Sequence, residues 1–270
     1  MDRRHFIGLL GAGAAGGAGL VARRVAGDDV EPAGTRVTED VEPTARGQQR
    51  IIWSVDTPRP VAALTFDDGP DPEFTPRILD VLAEHDVRAT FMVMTHNAIA
   101  HPRLLRRMVA EGHEVGGHGW NHLNLTELRY DQVYREVERG TRLVEDLAGV
   151  PIRVFRPPYG RFSQAAVQVL GQTERDLVVW SVTRGDLGWT EPRQIARHVL
   201  DETGPGDIID LHDGIGRGTF NRDYKFAERL RRRREVELAA LPRVLDGFRS
   251  NGLELATVSE LLTVGGRSTA

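Results

Sequence analysis

Two adjacent carboxylates close an apolar run in Thr65-Phe66-Asp67-Asp68-Gly69-Pro70. Beside a buried strand, paired acids are costly unless one of them holds a cation or a proton. A division of labour fits, with Asp68 binding a metal and Asp67 left free as a base. Alone, the stretch also reads as an ordinary Asp-Gly-Pro turn. Further on, His118-Gly119-Trp120-Asn121-His122 spaces two imidazoles four residues apart. On a helical turn both would lie on one side and could share a metal. With Asp68 as third ligand the set becomes His-His-Asp, with a fourth position open for water. His113 and Trp120 read as structural.

Three more clusters carry reactive groups. Arg156-Pro157-Pro158-Tyr159-Gly160 is a rigid bend. It holds backbone N–H groups in fixed directions, suited to an oxyanion, and Arg156 can pair with the free Asp67. Between Trp180 and Trp189, Asp186 could orient Arg156 or tune an acid, and a tryptophan could wall a sugar or acyl pocket. The third runs from Asp207 to Gly214. His212 there is the natural general acid, its ordinary pKa lying near operating pH. Asp213 either orients His212 or opens the turn, and Asp210 is expected to face outward.

Each cluster falls at or just after the end of an expected strand. The strands are Val61–Phe66, Ala89–Thr95, His113–Gly117, Ile152–Phe155, Leu177–Val182, Asp207–Leu211 and Leu253–Thr257. Several are near-continuous apolar runs, as strands covered on both faces are. Helices are expected at Thr75–His85, Pro102–Glu111, Leu125–Ala148, Ser163–Leu170, Pro192–Glu202, Val236–Ser250 and Val258–Leu262. Asn124 with Glu127 resembles a capping box for the longest, and Gly149 with Pro151 ends it. The β-then-α order points to a parallel sheet or barrel, and α/β barrels carry their sites at the C-terminal ends of strands.

The 270-residue chain is 40% hydrophobic and 27% charged, which suits a soluble globular protein. A formal net charge of −4 gives no reason to expect nucleic acid. The absence of cysteine excludes disulfides, thiolate metal sites and a cysteine nucleophile, so any zinc must sit on His, Asp or Glu. At the N-terminus, Arg3-Arg4 precedes an uncharged, glycine-rich apolar stretch from Phe6 to Ala22. Residues 1–26 thus read as a Tat-like export signal, or as a membrane anchor if uncleaved. Residues 27–50 read as a disordered linker.

Together these segments resemble the polysaccharide deacetylase family, also called the NodB-homology domain or carbohydrate esterase family 4. The motifs that carry the resemblance, in the family's order, are Thr-Phe-Asp-Asp-Gly at 65–69, His-x-x-x-His at 118–122, Arg-Pro-Pro-Tyr-Gly at 156–160 and Leu-His-Asp at 211–213. The resemblance spans about Val61 to Leu262, within a domain bounded at 51–265. It implies an α/β fold, a distorted (β/α)7 barrel, and removal of acetyl groups from a polysaccharide. The N-acetyl groups of a peptidoglycan or chitin-like polymer are one target; the O-acetyl groups of xylan are the alternative, and a catalytically silent glycan-binding barrel is a rival. It implies Asp67 as base, Arg156 as its partner, the Tyr159 N–H as oxyanion donor and His212 as acid, and it leaves Asp186 among the catalytic residues as the one that orients Arg156 or tunes an acid. Asp68, His118 and His122 would hold zinc, cobalt or another divalent ion, and Pro157, Tyr159, Leu211 and Trp189 would contact substrate. The expected protein is an exported monomer that meets a membrane only through its N-terminal segment. In one departure, Leu187 and Gly188 separate Asp186 from Trp189, which the family usually has adjacent. In another, the segment between Gly214 and Leu238 is extra and contains Arg231–Arg234. Such a charge run is usually a solvated helix face.

Overall fold

The computed structural model describes residues 38–44, 47–184, 190–220 and 224–265. The strands β1 (Thr38–Thr44) and β2 (Gly47–Ile52) form an antiparallel hairpin. Then follow β3 (Val61–Asp67), α1 (Thr75–Glu84), β4 (Thr90–Val93), α2 (Thr95–Ala100), α3 (Pro102–Ala110) and β5 (Glu114–Gly117). A long helical stretch comes next: α4 (Tyr130–Tyr134), a π-helical turn (Arg135–Arg139) and α5 (Gly140–Ala148). The chain continues through β6 (Val154–Phe155), α6 (Gln164–Gln172), β7 (Asp176–Val178), β8 (Val182–Thr183) and α7 (Pro192–Glu202). It ends with β9 (Ile208–His212), α8 (Tyr224–Asn251), β10 (Glu254–Ala256) and α9 (Val258–Val264).

Seven strands run parallel in the order β7-β6-β5-β4-β3-β9-β8. Among the described residues β7 and β8 do not pair, so the sheet curls into a barrel with an open seam, as the distorted (β/α)7 expectation requires. Alternation along each strand sorts the side chains into two layers. Ala62, Leu64 and Phe66 of β3, with Ile209 and Leu211 of β9, pack outward against a layer that includes Ile78, Leu82, Leu241 and Phe248. Ala63, Met92, Val154, Val178 and Ile208 fill the interior. The next inward residues toward the C-terminal ends are Thr65, Asp67, Arg156, Asp210 and His212, a polar storey above an apolar one.

Several expectations need correction. Within the 27–50 stretch expected to be linker, residues 38–44 and 47–50 belong to strands β1 and β2, and β2 pairs in parallel with β7 and so covers an otherwise bare strand edge. The run Leu177–Val182 is not one strand. Val179 still bonds to Ile52, but Ser181 already bonds to Ile208 on the far side of the seam. The helix expected from Leu125 starts at Tyr130, because Asn124 caps only a 3-10 turn, its side chain accepting from the Thr126 N–H. Gly149 does end that helix, at φ 72°. The short helix α2 was not expected, and α8 begins well before Val236. No helix among the described residues is long and apolar enough to cross a membrane.

Candidate active site and metal centre

Asp68, His118 and His122 come together at the C-terminal mouth of the barrel, all three buried, with one potential ligand atom of each within 4.8 Å of the others. His122 Nε2 lies 3.1 Å and His118 Nε2 3.6 Å from Asp68 Oδ1. A tetrahedral ion with bonds of about 2.0–2.2 Å needs ligand–ligand edges of about 3.3–3.6 Å. Asp68 Oδ1 is buried without a hydrogen-bond partner, as an oxygen reserved for a cation should be. His118 Nδ1 faces the Arg156 carbonyl at 2.8 Å, which directs Nε2 to the shared centre. Burial lowers the His118 pKa against the pull of Asp67, favouring the neutral imidazole a metal requires. For Asp68 burial acts to raise the pKa, but the charges of His122, His212 and Arg234 outweigh it and hold the carboxyl well below the usual range. The residues therefore fit a divalent ion.

The backbone is bent to make this meeting. His118 and His122 flank a loop rather than a helical turn, with φ 77° at Gly119 and 54° at His122. Asp68 (φ 81°) and Tyr159 (φ 61°) are also left-handed. Such conformations cost about 1–3 kcal/mol each outside glycine and cluster at functional sites. The surroundings hold them in place. Glu136, presented by the π turn, accepts from the Trp120 and Asn121 N–H groups at 3.0 and 2.9 Å, and Asn97 donates to the Asp68 carbonyl at 2.8 Å. A Cβ on Gly216 would come within 2.9 Å of the Asp68 carboxylate, so only glycine fits there.

Asp67 sits beside the metal set, its Oδ2 3.5 Å from His118 Nε2. Its Oδ1 accepts from Arg156 Nη1 at 2.7 Å. Arg156 is wholly buried and also donates to Thr65 Oγ1 (2.7 Å), Asp210 Oδ1 (3.2 Å) and the Val179 carbonyl (2.7 Å), with its guanidinium 5.6 Å from the Trp180 ring centre. Asp210 therefore faces inward, contrary to expectation. It shares a face of β9 with His212, and period-two alternation was the available signal. The same alternation turns Leu211 into the layer with Phe66 and Leu241. Pro157 is buried in the bend, and the Tyr159 ring meets His122 edge-on at 4.5 Å. Asp186 and Trp189 lie outside the described residues. Trp180, the other tryptophan of that cluster, packs under Gly160. His113 stands at the start of β5, at the opposite end of the barrel, where its Nδ1 accepts from the Ala89 N–H and burial lowers its pKa to about 4.

Residues 54–178 match the family model described as polysaccharide deacetylase. A peptidoglycan-N-acetylglucosamine deacetylase of Bacillus cereus is 31% identical over 226 residues, 83% of this chain and 96% of that protein. A chitooligosaccharide deacetylase of Sinorhizobium fredii is 37% identical over 215 residues, 78% of this chain and 96% of that one. The chain belongs to the polysaccharide deacetylase family. A crystal structure of a peptidoglycan N-acetylglucosamine deacetylase in complex with a naphthyl-substituted N-oxidanyl-benzamide superposes with a TM-score of 0.69 at 29% identity, covering 78% of this chain and 92% of that one.

In this deacetylase Asp213 does not orient His212. Its Oδ1 accepts from the Gly69 N–H and its Oδ2 from Thr75 Oγ1, pinning the loop that carries Asp68. Burial pushes the Asp213 pKa up to about 8. Between the unfolded value near 3.8 and about 8 the folded chain keeps a proton that the unfolded chain releases, so stability falls as pH rises through that window. Asparagine mimics the protonated acid. The melting temperature of Asp213→Asn relative to the parent should rise from pH 5 to pH 8 in metal-free protein; a difference independent of pH would refute a buried neutral acid.

Proposed function

We propose that this protein is an exported, zinc-dependent deacetylase that removes N-acetyl groups from an N-acetylglucosamine polymer of the cell wall. The observation that carries the reading is the meeting of Asp68, His118 and His122 at one point with a second carboxylate, Asp67, beside them. The names of the relatives support the substrate class, and the Arg3-Arg4 pair ahead of an apolar stretch supports the export route. The catalytic domain is residues 51–265, acting as a monomer.

Asp68, His118 and His122 would hold the ion, which supplies Lewis-acid polarisation of the acyl carbonyl and a lowered pKa for water, from about 15.7 towards about 7. Asp67, fixed by Arg156, takes a proton from the attacking water. The Tyr159 N–H stabilises the developing oxyanion. His212 gives a proton to the leaving nitrogen, and acetate and a free amine result. An amine leaves poorly without that proton, so an amide substrate demands the acid more than an ester does.

The test is acetate release from N-acetylated chito-oligosaccharides and peptidoglycan, beside O-acetylated xylan, using protein recovered from fractionated cells. Acetate from the N-acetyl substrates and protein outside the cytoplasm are expected. Release from xylan alone would replace this reading with an O-acetyl esterase, and none from any substrate would leave a silent glycan-binding barrel. Accumulation in the cytoplasm would overturn the address.

A further inference from the structure

Helix α8 carries two charges on its buried stripe. Leu238, Leu241, Leu245 and Phe248 repeat at helical spacing and pack against the barrel, yet Arg234 and Glu237 on the same side are only 5% and 3% exposed. Arg234 thus departs from the solvated face expected of the arginine run. Removing a charge from water costs several kcal/mol unless partners replace the solvent, so two such residues on one stripe point to what they touch.

Glu237 Oε1 is held by Arg234 Nη1 at 2.9 Å and Arg184 Nε at 2.8 Å. Its Oε2 accepts the backbone N–H of His212 at 3.0 Å and lies 3.5 Å from His212 Nδ1. Nδ1 is buried and has no hydrogen-bond partner among the described residues, and Glu237 Oε2 is the carboxylate oxygen that faces it. Among the described residues, Asp213 is engaged with Gly69 and Thr75, and Asp210 with Arg156. Burial opposes charge on Glu237, but Arg234, then His212 and Arg184, hold its pKa down to about 2, so it stays a carboxylate and a pure acceptor.

We infer that Glu237 is the positioning residue of the acid: its carboxylate takes the Nδ1–H of His212 and so leaves Nε2 to face the reacting nitrogen. In the acid step the Nε2 proton passes to that nitrogen, which keeps the electron pair of the breaking C–N bond. The imidazole is left neutral, with Nδ1–H still on Glu237. The inference rests on the acid role proposed for His212.

A leaving-group comparison tests it in the metal-loaded full chain. Glu237→Gln should lower kcat for acetate release from an N-acetylchito-oligosaccharide by about 10–100-fold at unchanged KM, the usual loss when an orienting partner is removed. Hydrolysis of 4-nitrophenyl acetate, whose leaving group departs as a stable anion, should stay within about twofold, because it needs no acid. Glu237→Asp should restore part of the amide activity. In the metal-free protein, imidazole nitrogen NMR should show His212 protonated on Nδ1 in the parent and a mixture of tautomers in Glu237→Gln. Equal losses on both substrates would make Glu237 merely structural and overturn the inference, as would unchanged amide turnover. A parent enzyme that cleaves the ester but no N-acetyl glycan would overturn the underlying reading, and the inference with it.

Discussion

Asp67→Asn should lower acetate release by about 10²–10⁴-fold, the span that a positioned general base contributes, while zinc content and melting temperature stay near those of the parent. Asparagine is the right probe because of what Asp67 touches. Its Oδ1 accepts from Arg156 at 2.7 Å, and an amide oxygen can accept the same bond. Arg156 also keeps its bonds to Thr65, Asp210 and the Val179 carbonyl, so no buried charge is stranded. What asparagine lacks is a site for a proton. Zinc analysis, thermal melting and acetate release on one preparation check this together. Substantial turnover would assign the base elsewhere; lost zinc would make Asp67 a ligand.

The second large effect is on the metal. His118→Ala leaves Asp68 and His122, two protein ligands where catalytic zinc sites use three. Zinc per chain should fall from near one to near zero after dialysis, and acetate release should fall to background. Chelation of the parent should reproduce the loss, and added zinc should reverse it in the parent and not in the variant. The fold should survive, because the barrel interior below the site is an apolar layer that owes nothing to the ion. Zinc retained by His118→Ala would refute the ligand role.

The apolar runs of β3, β4 and β9 are visible in the chain because these strands are covered on both faces, so nearly every position must be apolar. Helix α7 was legible to the residue, since Pro192 fixes its first turn and its apolar spacing is regular. Less legible were features set by contact at a distance. The run from Leu177 to Val182 looks like one strand, yet the seam divides it between two sheet edges. Asp210 was expected to face outward, and nothing in the sequence singled out Glu136 or Glu237, but each is buried against a site loop, an arginine or a histidine from elsewhere in the chain.

The identities of the reacting groups were already present in the amino-acid order, because metal binding and proton transfer need particular side chains and those chains cluster at strand ends. Cysteine's absence likewise narrowed the ligand set before any fold was known. The split between Asp67 and Asp68 was already legible in their motif, whereas the tertiary structure alone gave Asp210 to Arg156 and Asp213 to the loop that carries Asp68. Asp67, Asp68, Asp210 and Asp213 are chemically identical, and only position separates one facing Arg156 and the metal set from one facing the ligand histidines, one beneath Arg156 and one buried near neutrality. A carboxylate's task follows from its neighbours' charges and from its distance to water, and both are properties of the folded chain.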